Sequence, residues 1–375
     1  VVIVDFGISK SVTLILGQNK NTCERISSSI VSSALLVNSI FFLGIILFLT
    51  ALYFGFGLHI FGSKISLMGV RESFVFMLAV FVLAIGLLNN LLLAVCESFY
   101  LVHYTNITFA FSSIGINASI YIASLFTNSL YILLYMPIFS LLFVLCLNVV
   151  VVAKFTHVRL VWPKKNWAKK LLSISYKFFN IGIINSLLIP ANKYLLVYMT
   201  GSTALLGIFD VALKFALSAN NLLQSIAQPL FGVFSNLAHK KDKVLKIVLY
   251  VSGLMFLMYI LGVGVFYMIG SWLMQIIYAS QAVLLYSATL TLIIGVGFNS
   301  LSEPCYRAML GSGRLNEATM LKALFPILNI LIWCSLSSMP MLKKFYLAYG
   351  GAMFFGSFVL MCYYFISYRK GASIC

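Results

Sequence analysis

The chain has 375 residues, 62% of them hydrophobic and 9% charged, with a formal net charge of +17. Soluble domains carry about 25% charged residues, so this composition excludes a protein that water keeps dispersed. The surplus of Lys and Arg reflects membrane topology and contact with anionic lipid headgroups rather than nucleic acid, because of where those residues fall.

A hydrocarbon core about 30 Å thick needs about 20 apolar residues per helix, and such stretches recur along the whole chain. An outer-membrane barrel would show short segments alternating apolar and polar, whereas residues 41–49 and 141–152 are apolar nearly all round. The expected fold class is therefore all-α, a polytopic membrane protein.

In chain order, the first apolar stretch covers residues 1–17, broken only by Asp5 and Lys10, and a polar turn follows through Arg25. Spans are then expected at residues 29–57 and 73–95, with two more inside 98–153 meeting at Thr127-Asn128-Ser129. After a basic segment come 171–199 and 204–236, joined by the very short turn Thr200-Gly201-Ser202-Thr203. Residues 247–302 hold two helices parting near 270–281, and 323–338 and 345–367 complete a set of eleven spans. Val1 is not an initiator Met and no signal-peptide n-region precedes Asp5, so the N-terminus reads as truncated. The expected organisation is a first bundle at 1–153, a basic cytoplasmic linker at 154–170 and a second bundle at 171–375.

Cytoplasmic loops retain Lys and Arg. One set of alternate loops and flanking ends, including Arg307, Arg314 and Lys322, holds 19 of the 25 basic residues, which makes that set cytoplasmic. The opposite set holds Lys64, Arg71, Lys343 and Lys344. The linker carries Trp162 and Trp167 among lysines, a pattern of an interfacial segment at headgroup depth or of a binding site.

Enzymatic chemistry has little support. The four His never stand at metal-ligand spacing, the seven Cys form no CxxC pair, and no glycine-rich nucleotide loop precedes a Lys-Ser/Thr. No cofactor or metal is expected, and the chain is not read as an enzyme. Pro137, Pro190, Pro229 and Pro326 fall within spans, either as packing kinks or as the interruptions common where transporters bind and flex.

Two basic residues, Lys193 and Lys214, and one acidic residue, Asp210, lie within apolar stretches of the second bundle. Lys193 and Asp210 are equally far from the turn at Gly201-Ser202, so an antiparallel hairpin brings them to similar depth, and Asp210 and Lys214 share a helix face at i,i+4. One carboxylate cannot match two ammonium groups. The trio keeps one positive charge, which either faces a polar cavity or belongs to a lateral salt bridge whose spare lysine snorkels outward.

Val4-Asp5-Phe6-Gly7-Ile8-Ser9 resembles the Asp-x-Gly signature of bacterial O-antigen and capsule flippases, the polysaccharide branch of the multidrug/oligosaccharidyl-lipid/polysaccharide exporter superfamily. Tyr194-Leu195-Leu196, Gly201, Gly207-Ile208-Phe209 and Ala212-Leu213-Lys214 resemble that family's seventh-to-eighth helix passage, and Gln228-Pro229-Leu230 the end of its eighth. Asn192 stands where the family often has Asp, and Leu14 and Leu16 where it commonly has a basic residue.

The resemblance implies a twelve-span fold of two pseudo-symmetric bundles around a central cavity, with the first helix and part of the second missing here. It further implies alternating-access translocation of undecaprenyl-pyrophosphate-linked oligosaccharides across the bacterial inner membrane. In that setting Lys214 or Lys193 is the expected pyrophosphate contact, with Asp210 as its partner. Asp5, Gly7, Pro190 and Pro229 are the candidates for H⁺ or Na⁺ coupling or hinge motion. The implied partners are the lipid-linked oligosaccharide, anionic lipids and other polysaccharide-assembly proteins. A multidrug/cation antiporter of the same superfamily and a membrane polysaccharide polymerase or ligase remain as alternatives.

Overall fold

A computed structural model describes residues 5–19, 24–52, 72–126, 130–156, 158–278 and 281–372. The regular structure of the described residues is helical. The helices are α1 (Ile8–Gln18), α2 (Glu24–Leu52), α3 (Glu72–Ser98), α4 (Val102–Phe126), α5 (Leu130–Phe155), α6 (Lys165–Thr200), α7 (Thr203–Ala227), α8 (Leu230–Asn236), α9 (Lys241–Tyr278), α10 (Ala282–Gly311), α11 (Leu315–Ser335) and α12 (Met341–Ala372). They follow the expected spans in order. Among the described residues, nine helical segments are long and apolar enough to cross a membrane, with α7 and α8 forming one of them. The expected turn at Thr127-Asn128-Ser129, and Lys64 and Arg71 of the opposite loops, lie outside the described residues.

The chain divides into two compact units, residues 1–179 and 180–375, the division falling within α6. In the first, α1 is buried along most of its length and packs on α2 and α3. Gly7 precedes it with φ 73, and a Cβ there would lie 2.5 Å from Phe178 Cβ and 2.8 Å from Ser175 O, so only glycine permits this approach to α6. Ser11 Oγ and Ser175 Oγ share a 2.9 Å hydrogen bond across the same contact. Farther out, Asn148 Nδ2 on α5 donates to Asn89 Oδ1 on α3 at 3.1 Å, a polar tie between helices otherwise held by apolar packing.

The serine-rich start of α2 explains how the basic connection before α6 is held. Residues 158–164 are non-helical, so their N–H groups need acceptors. The hydroxyls of Ser28, Ser32 and Ser33 accept from the backbone N–H of Arg159, Val161 and Lys164, each at 3.0 Å. Trp167 then packs partly into the first unit's core, while Trp162 is 90% exposed.

The second unit is organised by α10, which packs on α7, α9 and α12. Its core joins Phe209, Ala212, Leu213 and Ala216 of α7 to Leu285, Ala288, Leu292 and Val296 of α10 and to Phe345 and Tyr349 of α12. At Gly295 a Cβ would lie 2.2 Å from Gly350 O, so α10 and α12 touch backbone to backbone, the close approach that small residues allow in membranes. Polar pairs repeat the pattern of the first unit: Asn329 Nδ2 donates to Asn192 Oδ1 at 3.1 Å, and Ser357 Oγ to Asn299 Oδ1 at 3.0 Å. Asn192 is thereby a packing residue joining α6 to α11.

Two sequence expectations need correction. Helix α10 runs past Ser302 to Gly311, so Glu303, Pro304 and Arg307 are helical, and α11 starts at Leu315, so Lys322 is helical too. Arg307 and Lys322 therefore stand on the helices that flank this connection and not in the connection itself. Bounding spans at each charge fails where an ion pair or an aromatic face lets a charged residue stay in the helix. Lys344 likewise sits inside α12, 8% exposed, with Nζ 3.8 Å from the Trp333 ring centroid.

Candidate functional site

The hairpin of α6 and α7 places the expected trio. The turn is closed by Gly201 N–H donating to Val197 O at 2.8 Å, and Ser202 Oγ caps α7 by accepting from Leu205 N–H at 3.3 Å. With that register Lys193 and Asp210 meet across the hairpin, Lys193 Nζ pairing with Asp210 Oδ1. Lys214 Nζ lies 3.3 Å from Asp210 Oδ2, one turn along α7. Asp210 thus bridges both lysines. Because Phe209, Ala212 and Leu213 turn into the core, the charged face of α7 points away from it. Side-chain exposure rises from 29% at Asp210 and 34% at Lys193 to 73% at Lys214, so the unmatched positive charge is the most accessible atom group of the three.

Asp5 is 7% exposed and sits in the turn before α1, where its carboxylate accepts from Ser9 N–H at 3.3 Å and Ser9 Oγ–H at 2.8 Å. The Asp-x-Gly stretch is thus a helix start: Asp5 binds the first turn's donors and Gly7 allows the contact with α6. Pro190 lies inside the continuous helix α6. Pro229 instead begins α8, after α7 has ended at Ala227.

A second charged cluster escaped the sequence reading. Glu303 is 5% exposed and accepts from Arg307 Nε at 2.7 Å. Lys322, also 5% exposed, has Nζ 4.5 Å and 4.8 Å from the ring centroids of Tyr306 and Phe325. The i,i+4 spacing of Glu303 and Arg307 was the available signal. A third pair closes the connection from α10 to α11: Arg314 pairs with Glu317, whose carboxylate also accepts from Tyr363 Oη–H at 2.7 Å. The Glu317 carboxylate holds the Arg314 guanidinium above its ordinary range. Beside it is a cavity of about 260 Å³ lined in part by Lys241, Arg314, Tyr364 and Tyr368.

No protein-family model matches the sequence, and no curated protein matches it. Solved structures do. A multidrug-resistance MATE transporter of the MOP superfamily in an outward-facing conformation is 10% identical, with a TM-score of 0.73 over 98% of this chain and 84% of its own. The Vibrio cholerae MATE transporter VcmN in its bent form is 14% identical, with a TM-score of 0.73 over 98% of this chain and 85% of its own. A MOP-superfamily transporter from Pyrococcus furiosus, whose binding pocket of reversed polarity suggests a different function, is 12% identical with a TM-score of 0.73 over the same shares. The chain has the fold of the MATE transporters, a multi-pass membrane fold of two helical bundles.

Proposed function

We propose that the protein is a flippase for an anionic lipid-linked oligosaccharide, an undecaprenyl-pyrophosphate carrier crossing the bacterial inner membrane. A pyrophosphate cannot enter hydrocarbon without replacing its hydration, and fixed cations replace it. The observation that carries the reading is the charge balance of the second unit. Each of its four carboxylates is engaged: Asp210 by Lys193 and Lys214, Glu303 by Arg307, Glu317 by Arg314, and Asp242 by the Tyr368 hydroxyl at 3.2 Å. Asp210 cannot match both Lys193 and Lys214, so this exposed trio within the apolar helices keeps one positive charge and suits an anion better than a cationic drug. Lys214, exposed and the more distant partner of Asp210, is the phosphate contact, and Lys193 positions the carboxylate. H⁺ or Na⁺ coupling through Asp5, and association with other polysaccharide-assembly proteins, belong to the same proposal.

The cation antiporter is the second reading, favoured by the multidrug transporters among the structural neighbours. The reversed pocket polarity of the Pyrococcus furiosus protein bears on it, since the fold is then not tied to one substrate charge. Expression in a bacterium lacking its own flippase tests the proposal. At equal protein level, Lys214→Ala is expected to lower surface polysaccharide at least tenfold and Lys193→Ala less. Normal export with both variants would refute the cationic site.

A further inference from the structure

The second unit holds a small cavity, about 50 Å³, apart from the trio. Its apolar walls are Ile184, Leu188, Phe325, Pro326 and Met353, and two polar side chains, Asn299 and Lys322, complete it. Lys322 is 5% exposed, and no carboxylate among the described residues lies within ion-pair distance of its Nζ. Glu303, the acidic residue of α10, already pairs with Arg307, so Glu303, Arg307 and Lys322 together keep one positive charge. The Tyr306 and Phe325 ring faces recover only part of what burying an ammonium costs. Asn299 is oriented by Ser357, which donates to Oδ1 at 3.0 Å and leaves the amide N–H groups as donors. Both polar groups of the cavity are therefore donors. A water needs about 10–15 Å³ of such space, so the cavity suits a single small ion with a water and not a pyrophosphate.

We propose that this cavity binds a small monovalent inorganic anion of the chloride class, held by Lys322 Nζ and Asn299 Nδ2. The ion neutralises Lys322 and ties α10 to α11, so it acts on stability and not as transported substrate.

The test is thermal unfolding of the purified full chain in detergent, in sodium chloride against sodium gluconate at equal ionic strength. Chloride is expected to raise the wild-type Tm by a few degrees, because it binds the folded state alone. Lys322→Gln is expected to abolish that difference. Asn299→Asp gives Lys322 an internal carboxylate, so it too loses the chloride response while its Tm in gluconate stays at or above the wild type's. No chloride dependence in the wild type, or an undiminished one in both variants, overturns the proposal. Stabilisation by inorganic phosphate but not by chloride overturns the halide assignment. Should Lys322→Gln fail to fold, bromide bound to the wild-type protein decides: an anomalous peak in the cavity supports the site, and none at saturating bromide refutes it.

Discussion

Asp210 receives two ammonium groups and Glu303 one guanidinium, and their burial decides what each loss would cost. Asp210 and Lys193 are about one-third exposed, so Asp210→Asn is expected to cost about 1 kcal/mol or less and to act mainly on transport, by leaving two lysines unmatched. Glu303 is 5% exposed, and Glu303→Gln leaves the Arg307 guanidinium, 17% exposed, without its carboxylate. That variant is expected to lose about 3–5 kcal/mol, seen as a lower unfolding temperature than Asp210→Asn gives under the same conditions. The first trio was legible in the sequence because each member interrupts an apolar run. Glu303, Arg307 and Lys322 were not, because they had been used to mark where runs end. Nothing in the linear pattern says that Tyr306 and Phe325 offer their ring faces to Lys322.

At the scale of elements, helix order and the α6–α7 turn followed from apolar length and from Gly201-Ser202, while the packing devices did not. The Asp5-Phe6-Gly7 stretch illustrates the difference. Its spacing was visible, but its work depends on Ser175 and Phe178, some 170 residues away in sequence. Gly7→Ala combines a strained φ of 73 with a 2.5 Å contact to Phe178 Cβ, and is expected to cost about 2 kcal/mol or more. Thermal unfolding would register that loss, and an unchanged Tm would show that α1 and α6 can separate freely. Asn329→Leu removes one inter-helix hydrogen bond to Asn192, yet Asn329 Oδ1 has no partner of its own. The expected cost is about 1 kcal/mol or less, because the leucine also removes an unsatisfied oxygen. Of the prolines, Pro229 separates α7 from α8 and Pro190 does not end α6, a distinction set by neighbouring backbone and not by the residue itself.

For the whole molecule, the apolar composition serves two surfaces. The core of the second unit is apolar, and so is the outside of α9, where Leu257, Leu261, Tyr267 and Met268 are all exposed. Water would not tolerate that outer face, whereas lipid requires it. Composition therefore revealed the membrane and the helical class at once, but substrate choice rests on a few charges. In the proposed function, the one positive charge left over at Lys193, Asp210 and Lys214 serves an anionic lipid-linked substrate. Proteoliposomes of the purified protein can be given, in parallel, a fluorescent polyprenyl-pyrophosphate-linked sugar and a cationic dye with an imposed H⁺ or Na⁺ gradient. The pyrophosphate lipid is expected to reach the opposite leaflet at least tenfold faster than in empty vesicles, Lys214→Ala is expected to abolish this, and the dye is expected to stay where it is. Gradient-driven dye transport with no movement of the pyrophosphate lipid would contradict the proposed function.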